Sequence, residues 1–159
     1  MIQTRADGFT LIEVVVTLAI LGLLAGMAAP MLVTLQRERR ENALRRDLRE
    51  IRTAIDAYKT DTEDGRIATS VDSSGYPPNL DALWKGVPDR SRPDHRMIYF
   101  LRRLPRDPFY PDQNAPADQS WGLRSYESPP DAPEPGDDVY DVHSLSPQVG
   151  LNGVPYRDW

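Results

Sequence analysis

Cysteine is absent from this 159-residue chain. That removes disulfide scaffolds, thiol nucleophiles and thiolate metal sites, without fixing the compartment. Catalytic vocabulary is sparse as well. The histidines are His95 and His143, and no Gly-x-Ser-x-Gly, His-Glu-x-x-His or phosphate-binding glycine loop occurs. Ser144 adjoins His143, but neighbours on a strand face opposite sides, so no nucleophile–base pair is expected. A basic surplus is missing too. Residues 1–60 hold 9 Lys+Arg against 7 Asp+Glu (+2) and residues 61–159 hold 10 against 17 (−7), which sum to the formal net charge of -5. An acidic outer region argues against a nucleic-acid surface. Finally, neither Gly nor Pro occurs from Met31 to Asp64, so nothing there interrupts a helix.

What is present is concentrated at the start. Gly8-Phe9-Thr10-Leu11-Ile12-Glu13 leads into a nearly unbroken apolar run, Val14 to Leu35. Such a run is long enough for a bilayer core, which takes about 20 apolar residues at about 1.5 Å rise each. An ionisable residue within it costs about 2.5–3.5 kcal/mol at the centre and less near an end, so Glu13 asks for a function. Mean hydropathy is nonetheless low, at -0.54, so the rest of the chain is strongly polar. Gly22 and Gly26, spaced i, i+4, match the small-xxx-small pattern of closely packed membrane helices. Pro30 lacks a backbone donor and is expected to bend the helix.

Beyond Leu35 the pattern turns amphipathic without a break. Leu44, Leu48, Ile51, Ile55 and Tyr58 recur at steps of 4, 3, 4 and 3, a stripe expected to dock a globular region. Glu41 with Arg45, and Arg46 with Glu50, are spaced as solvated helical ion pairs. The expectation is one helix from about Thr10 to Tyr58, with Gly65 beyond its end.

From Asp61 the composition shifts: 14 of the 15 prolines lie there. Gly65 to Gly75 reads as a loop. Asn79 is placed to cap a short helix over Leu80–Trp84, stopped by Gly86 and Pro88. Met97–Leu101 fits a strand or a short helix. Trp121–Tyr126 and Val139–Leu145 read as two strands joined by the Pro-rich loop Ser128–Gly136. The fold class expected is α+β, a long helix packed on a small antiparallel sheet. Trp84, Trp121 and Trp159 are expected to pack, and Asp137, Asp138 and Asp141 to form a solvated turn.

The motif Gly8–Glu13, the apolar run and Pro30 resemble the processing site and stalk of type IV pilin-like proteins, a class that includes type II secretion pseudopilins. The resemblance implies a leader, 1–8, cut between Gly8 and Phe9 by a prepilin peptidase, with Phe9 then N-methylated. It implies a transmembrane and filament-core helix over 9–35, its amphipathic continuation over 36–60, and a periplasmic globular region over 61–159. Glu13 would pair with the amino terminus of a neighbouring Phe9 and set the register of assembly. An ordinary secretory signal is not expected, because the apolar region follows the cut instead of preceding it. The arginines Arg37, Arg39, Arg40, Arg45 and Arg46 would by the positive-inside rule keep the C-terminal side in the cytoplasm. The resemblance places it outside, in the periplasm, with a single pass through the bacterial inner membrane.

Further motifs narrow the resemblance to the major pseudopilin. These are Tyr76-Pro77-Pro78, Leu80-Asp81-Ala82-Leu83, Leu104-Pro105-Arg106-Asp107-Pro108-Phe109 and Tyr140 through Pro147. That family carries an aspartate-rich calcium loop where this chain has Gln148–Val154. Here Leu145, Ser146 and Asn152 supply only neutral oxygens, so the expectation is no cofactor, with calcium at those three residues as the alternative. The function implied is structural, not enzymatic: a subunit polymerising with itself and other pseudopilins into a periplasmic filament that drives protein export. An inner-membrane platform and a cytoplasmic ATPase would act on it. A subunit of a type IV pilus or DNA-uptake machine, and a membrane-anchored periplasmic enzyme or binding module, are the alternatives.

Overall fold

The computed structural model describes residues 8–70, 73–94, 96–112 and 114–159, and the side chains of residues 25–31 inside the first helix are outside the described set. The leader residues 1–7 and His95 therefore also lie outside it, as do the Gly26 half of the glycine pair and the side chain of Pro30. Two compact units divide between Arg39 and Arg40.

Helix α1 spans Leu11–Glu63. It continues through Pro30, so the proline does not terminate it. Thr10 starts it: its Oγ1 accepts the Glu13 N–H at 3.3 Å, satisfying one of the orphan donors of the first turn. The end lies five residues later than expected, at Glu63 and not Tyr58. Gly65, at φ 72°, provides the left-handed residue. The Gly65 N–H bonds the Thr62 carbonyl (3.0 Å) and the Arg66 N–H bonds the Asp61 carbonyl (2.9 Å). This pair of bonds is a Schellman motif, and it fixes the stop.

The expected stripe is the core of the second unit. Leu44, Leu48, Ile51, Ile55 and Tyr58 are buried, and Ala54 joins them. They pack against Leu80, Leu83, Trp121, Val139, Val142 and Tyr156 in one cluster. Each large side chain so removed from water contributes about 1.5–3 kcal/mol. Helix α2, Asp81–Lys85, delivers the fully buried Leu83. The Leu83 carbonyl accepts the N–H groups of both Phe100 and Leu101 at 2.9 Å, tethering that segment. Asn79 contributes a cap bond, its Oδ1 accepting the Ala82 N–H at 3.1 Å, although the residue at the cap position is Leu80.

The sheet differs from the expectation of a single unit. Two separate antiparallel ribbons form. In the first, β1 (Val87–Pro88) pairs with β2 (Met97–Ile98), so Met97–Leu101 is strand only at its start. In the second, β3 (Trp121–Arg124) pairs with β4 (Asp141–Ser144), with Trp121 opposite Ser144 and Gly122 opposite His143. Both strands of the second ribbon are shorter than expected. Beyond Arg124 the backbone turns to bond elsewhere: the Ser125 N–H goes to Glu134 and the Ser128 N–H to Ser125.

Candidate functional site

The amino-terminal motif sits where local rules place it. Gly8, Phe9 and Thr10 precede the helix and are exposed, so the Gly8–Phe9 bond lies in non-helical backbone, the form a peptidase can grip. A Cβ added at Gly8 would meet no atom within 4 Å. Nothing in the described chain requires glycine there. Phe9 and Leu11 are 83% and 85% exposed. Among the described side chains, large apolar residues are exposed along the helix from Leu11 to Leu24 and from Leu32 to Leu35. A helix apolar on every side has no core of its own to fill and needs lipid or other helices around it.

Glu13 lies in the first turn, next to the partially positive helix start. Its backbone is engaged, the carbonyl accepting the Thr17 hydroxyl at 2.6 Å. Its carboxylate has no hydrogen-bond or ion-pair partner among the described residues. Thr10 and Glu13 also have the spacing of a capping box, a role that the pattern Thr-Leu-Ile-Glu carries openly but that the membrane reading of the run obscures. Among the described residues no helix is long and apolar enough to cross a membrane. Residues 25–31, whose side chains are not described, fall in the middle of the apolar run.

The second unit carries the remaining motifs as a set of locks. Asp107 is fully buried. Its Oδ1 accepts the Phe109 N–H at 2.7 Å and its Oδ2 accepts the Ser144 hydroxyl at 2.6 Å. Burial pushes this carboxyl up, while those two donors pull it down. The Trp121 indole N–H bonds the Pro105 carbonyl at 2.9 Å. The Leu104–Phe109 segment is thereby fastened to both strands of the second ribbon.

Glu41 corrects an expectation. It is buried, and its Oε1 accepts the Leu151 N–H at 2.8 Å and the Tyr156 hydroxyl at 2.9 Å. Arg45 instead stacks on Trp159, 4.3 Å from the ring centre, and Arg46 and Glu50 form no ion pair. The cause is position. Glu41 lies three residues before Leu44 and extends the core stripe by one step, a signal available in the sequence. Two residues of the acidic trio also have partners: Asp138 accepts the Ser74 hydroxyl and the Tyr126 N–H, and Asp141 pairs with Arg52 at 2.7 Å. They brace the fold and do not form a freely solvated turn.

The loop considered for calcium is closed on itself. Asn152 Oδ1 accepts the Val154 N–H at 3.1 Å and Ser146 Oγ accepts the Gln148 N–H at 3.4 Å. Val149 and Pro155 form a bridge across its neck. No group of three or more His, Asp or Glu side chains among the described residues is arranged to hold a metal.

A cleft of about 820 Å³ is lined by Arg52, Arg124, Asp141, His143 and Arg157 together with the Pro130–Pro133 segment. Its charges are largely spent. Arg52 gives its Nε to Asp141 and its Nη2 to the carbonyls of Val142 and Trp159, and Arg157 lies 3.4 Å from Asp158. Burial pushes the His143 imidazole down, against the raising influence of Asp141. Ser144 Oγ, directed to Asp107, is not joined to it. Of the tryptophans, Trp121 is in the core, Trp159 packs at its edge and Trp84 is partly exposed.

An exposed apolar helix opened by a glycine–phenylalanine step, and continued into a small α+β unit, defines a prepilin-like protein. Comparison with known proteins agrees. Residues 4–29 match the prokaryotic N-terminal methylation motif. The chain is 30% identical over 141 residues to the type II secretion system core protein G of Klebsiella pneumoniae, covering 85% of this chain and 93% of that one. It is 31% identical to the Aeromonas hydrophila protein of the same name and 29% to that of Pseudomonas aeruginosa, each over 67% of this chain and 70% of the relative. No solved structure matches. The chain belongs to the type II secretion system core protein G family, the major pseudopilins, and its role is that of a pseudopilin subunit in type II secretion.

Proposed function

We propose that residues 9–35 hold the subunit in the bacterial inner membrane, with the globular region in the periplasm. A prepilin peptidase cuts between Gly8 and Phe9 and methylates Phe9. The released helix then stacks with its copies into a filament whose growth drives export, alongside other pseudopilins, an inner-membrane platform and a cytoplasmic ATPase. The observation that carries this reading is the run of exposed apolar side chains on α1, with a carboxylate near its start that has no partner among the described residues. Opposite charges about 4 Å apart attract by several kcal/mol at intermediate dielectric, less the cost of desolvation. Glu13 against the charged amino terminus of a neighbouring Phe9 supplies such a pair, available only between subunits. The role is structural and not catalytic, which fits a Ser144 hydroxyl committed to Asp107.

Mass spectrometry of the protein from its native membrane tests the processing. The expected polypeptide lacks Met1–Gly8 and carries one methyl on Phe9; a chain still beginning at Met1 overturns it. Glu13→Ala tests the pairing separately. The variant is expected to be cut normally and to enter filaments far more slowly, and assembly at the parental rate sinks the proposed contact.

We also infer that the Gln148–Val154 loop works without an ion. Support comes from Asn152 and Ser146, whose side-chain oxygens already accept backbone N–H groups, and from Glu41, which takes the Leu151 N–H. A calcium ion would need those oxygens and added negative charge.

A further inference from the structure

We propose that the Pro-rich acidic loop of one subunit docks into an arginine-edged groove on the next copy, as a second intersubunit contact outside the apolar stalk. This rests on the reading that the chain polymerises. The groove has a volume of about 490 Å³ and runs between α1 and the Phe100–Arg102 segment. Ala54, Ala57 and Phe100 form its apolar floor, and Arg49 and Arg102 stand at its edges with Glu50. Arg46 and Arg103 are also exposed beside it. Arg46, Arg49, Arg102 and Arg103 have no hydrogen-bond or ion-pair partner among the described residues. Against Asp47 and Glu50 the four arginines leave a formal surplus of +2 (4 − 2).

The occupant is complementary in shape and charge. No Lys or Arg occurs between Arg124 and Arg157. Within residues 127–137, Glu127, Asp131, Glu134 and Asp137 give −4, and all four are exposed. Between the acids stand Pro129, Pro130, Ala132, Pro133 and Pro135, apolar and poor in side-chain entropy to lose. The loop is also preformed. Ser128 Oγ accepts the Glu134 N–H at 2.8 Å, and the Glu134 carbonyl accepts the Ser125 N–H at 3.0 Å. A rigid protrusion binds with little ordering cost.

Geometry separates the two halves of the contact. The loop stands beside Arg52, across the cleft that the Pro130–Pro133 segment lines. The α1 residues that line the groove, Arg49, Glu50, Thr53, Ala54 and Ala57, lie between about 60° and about 200° around the helix from Arg52, at about 100° per residue. One molecule therefore presents protrusion and groove on different faces. Such a heterologous contact does not close on a twofold pair and repeats from copy to copy, as an open filament requires. Opposite charges across it favour register and disfavour reversed neighbours.

The lack of cysteine makes a direct test available. Ala57→Cys in the groove and Ala132→Cys in the loop are both at exposed positions. The full chain is expressed with its own secretion machinery, filaments are scored by electron microscopy, and the membranes are mildly oxidised. The expected result is a ladder of dimers, trimers and higher species from the double variant, with neither single variant crosslinking. Filaments without a ladder, dimers from a single variant, or crosslinks only to another protein overturn the docking and leave assembly standing. If the unmodified chain forms no filaments, assembly itself fails and the docking falls with it.

Discussion

Asp107 shows how much one side chain can decide. Its carboxylate is sealed from water and answers two donors, one from the backbone two residues on and one from Ser144, across the ribbon. Removing it strands both. Asp107→Ala is expected to destabilise the second unit by about 2–6 kcal/mol, since each of the two buried groups left unpaired costs about 1–3 kcal/mol. Asp107→Asn keeps one acceptor and is expected to cost less. Thermal unfolding followed by circular dichroism separates the two, and equal losses would contradict the account. Glu41 is the complementary case on the helix, where a buried acid secures the Leu151 loop.

The elements differ in how openly the sequence announces them. Helix α1 is legible because two independent signals agree: an apolar run without breakers, then a stripe at steps of 3 and 4. Its end was less so, because five further polar residues give no apolar period and only the Gly65 turn geometry sets the limit. The second ribbon was legible as two strands, but the first was not: Pro88 read only as a helix stop and Met97–Leu101 as strand or short helix. A two-residue pairing such as Val87–Pro88 with Met97–Ile98 leaves almost no alternation to read. The N-terminal methylation motif was fully visible, whereas Arg52, which joins Asp141 to the carbonyls of Val142 and Trp159, was not. Contacts over 89 to 107 positions leave no local trace. The second ribbon permits a test at this scale. A Cβ at Gly122 would lie 2.2 Å from the His143 ring. Gly122→Ala is expected to cost about 1–3 kcal/mol as the ring is forced aside. Combining it with His143→Ala should recover most of that loss in a double-mutant cycle, and strict additivity would rule out the clash.

At the scale of the whole molecule, two kinds of apolar surface coexist. Among the described residues, all 15 buried hydrophobic ones lie between Leu44 and Tyr156, so the second unit contains its own core. A fragment of residues 40–159 is therefore expected to fold cooperatively as a soluble monomer. It should melt at the same temperature, within about 2 °C, with calcium or with a chelator, a shift under the ~4 °C that 1 kcal/mol produces in a domain of this size. A larger rise with calcium would mean that the loop holds an ion. The described side chains of the apolar half of α1 are exposed, and none of the described atoms packs on Gly8. Because no atom of the described chain crowds that position, a mutational survey that reads folding or abundance would mark it as freely replaceable. Under the proposed processing, the same substitution would silence export, since the demand for glycine comes from another protein's active site and the residue is discarded once that demand is met.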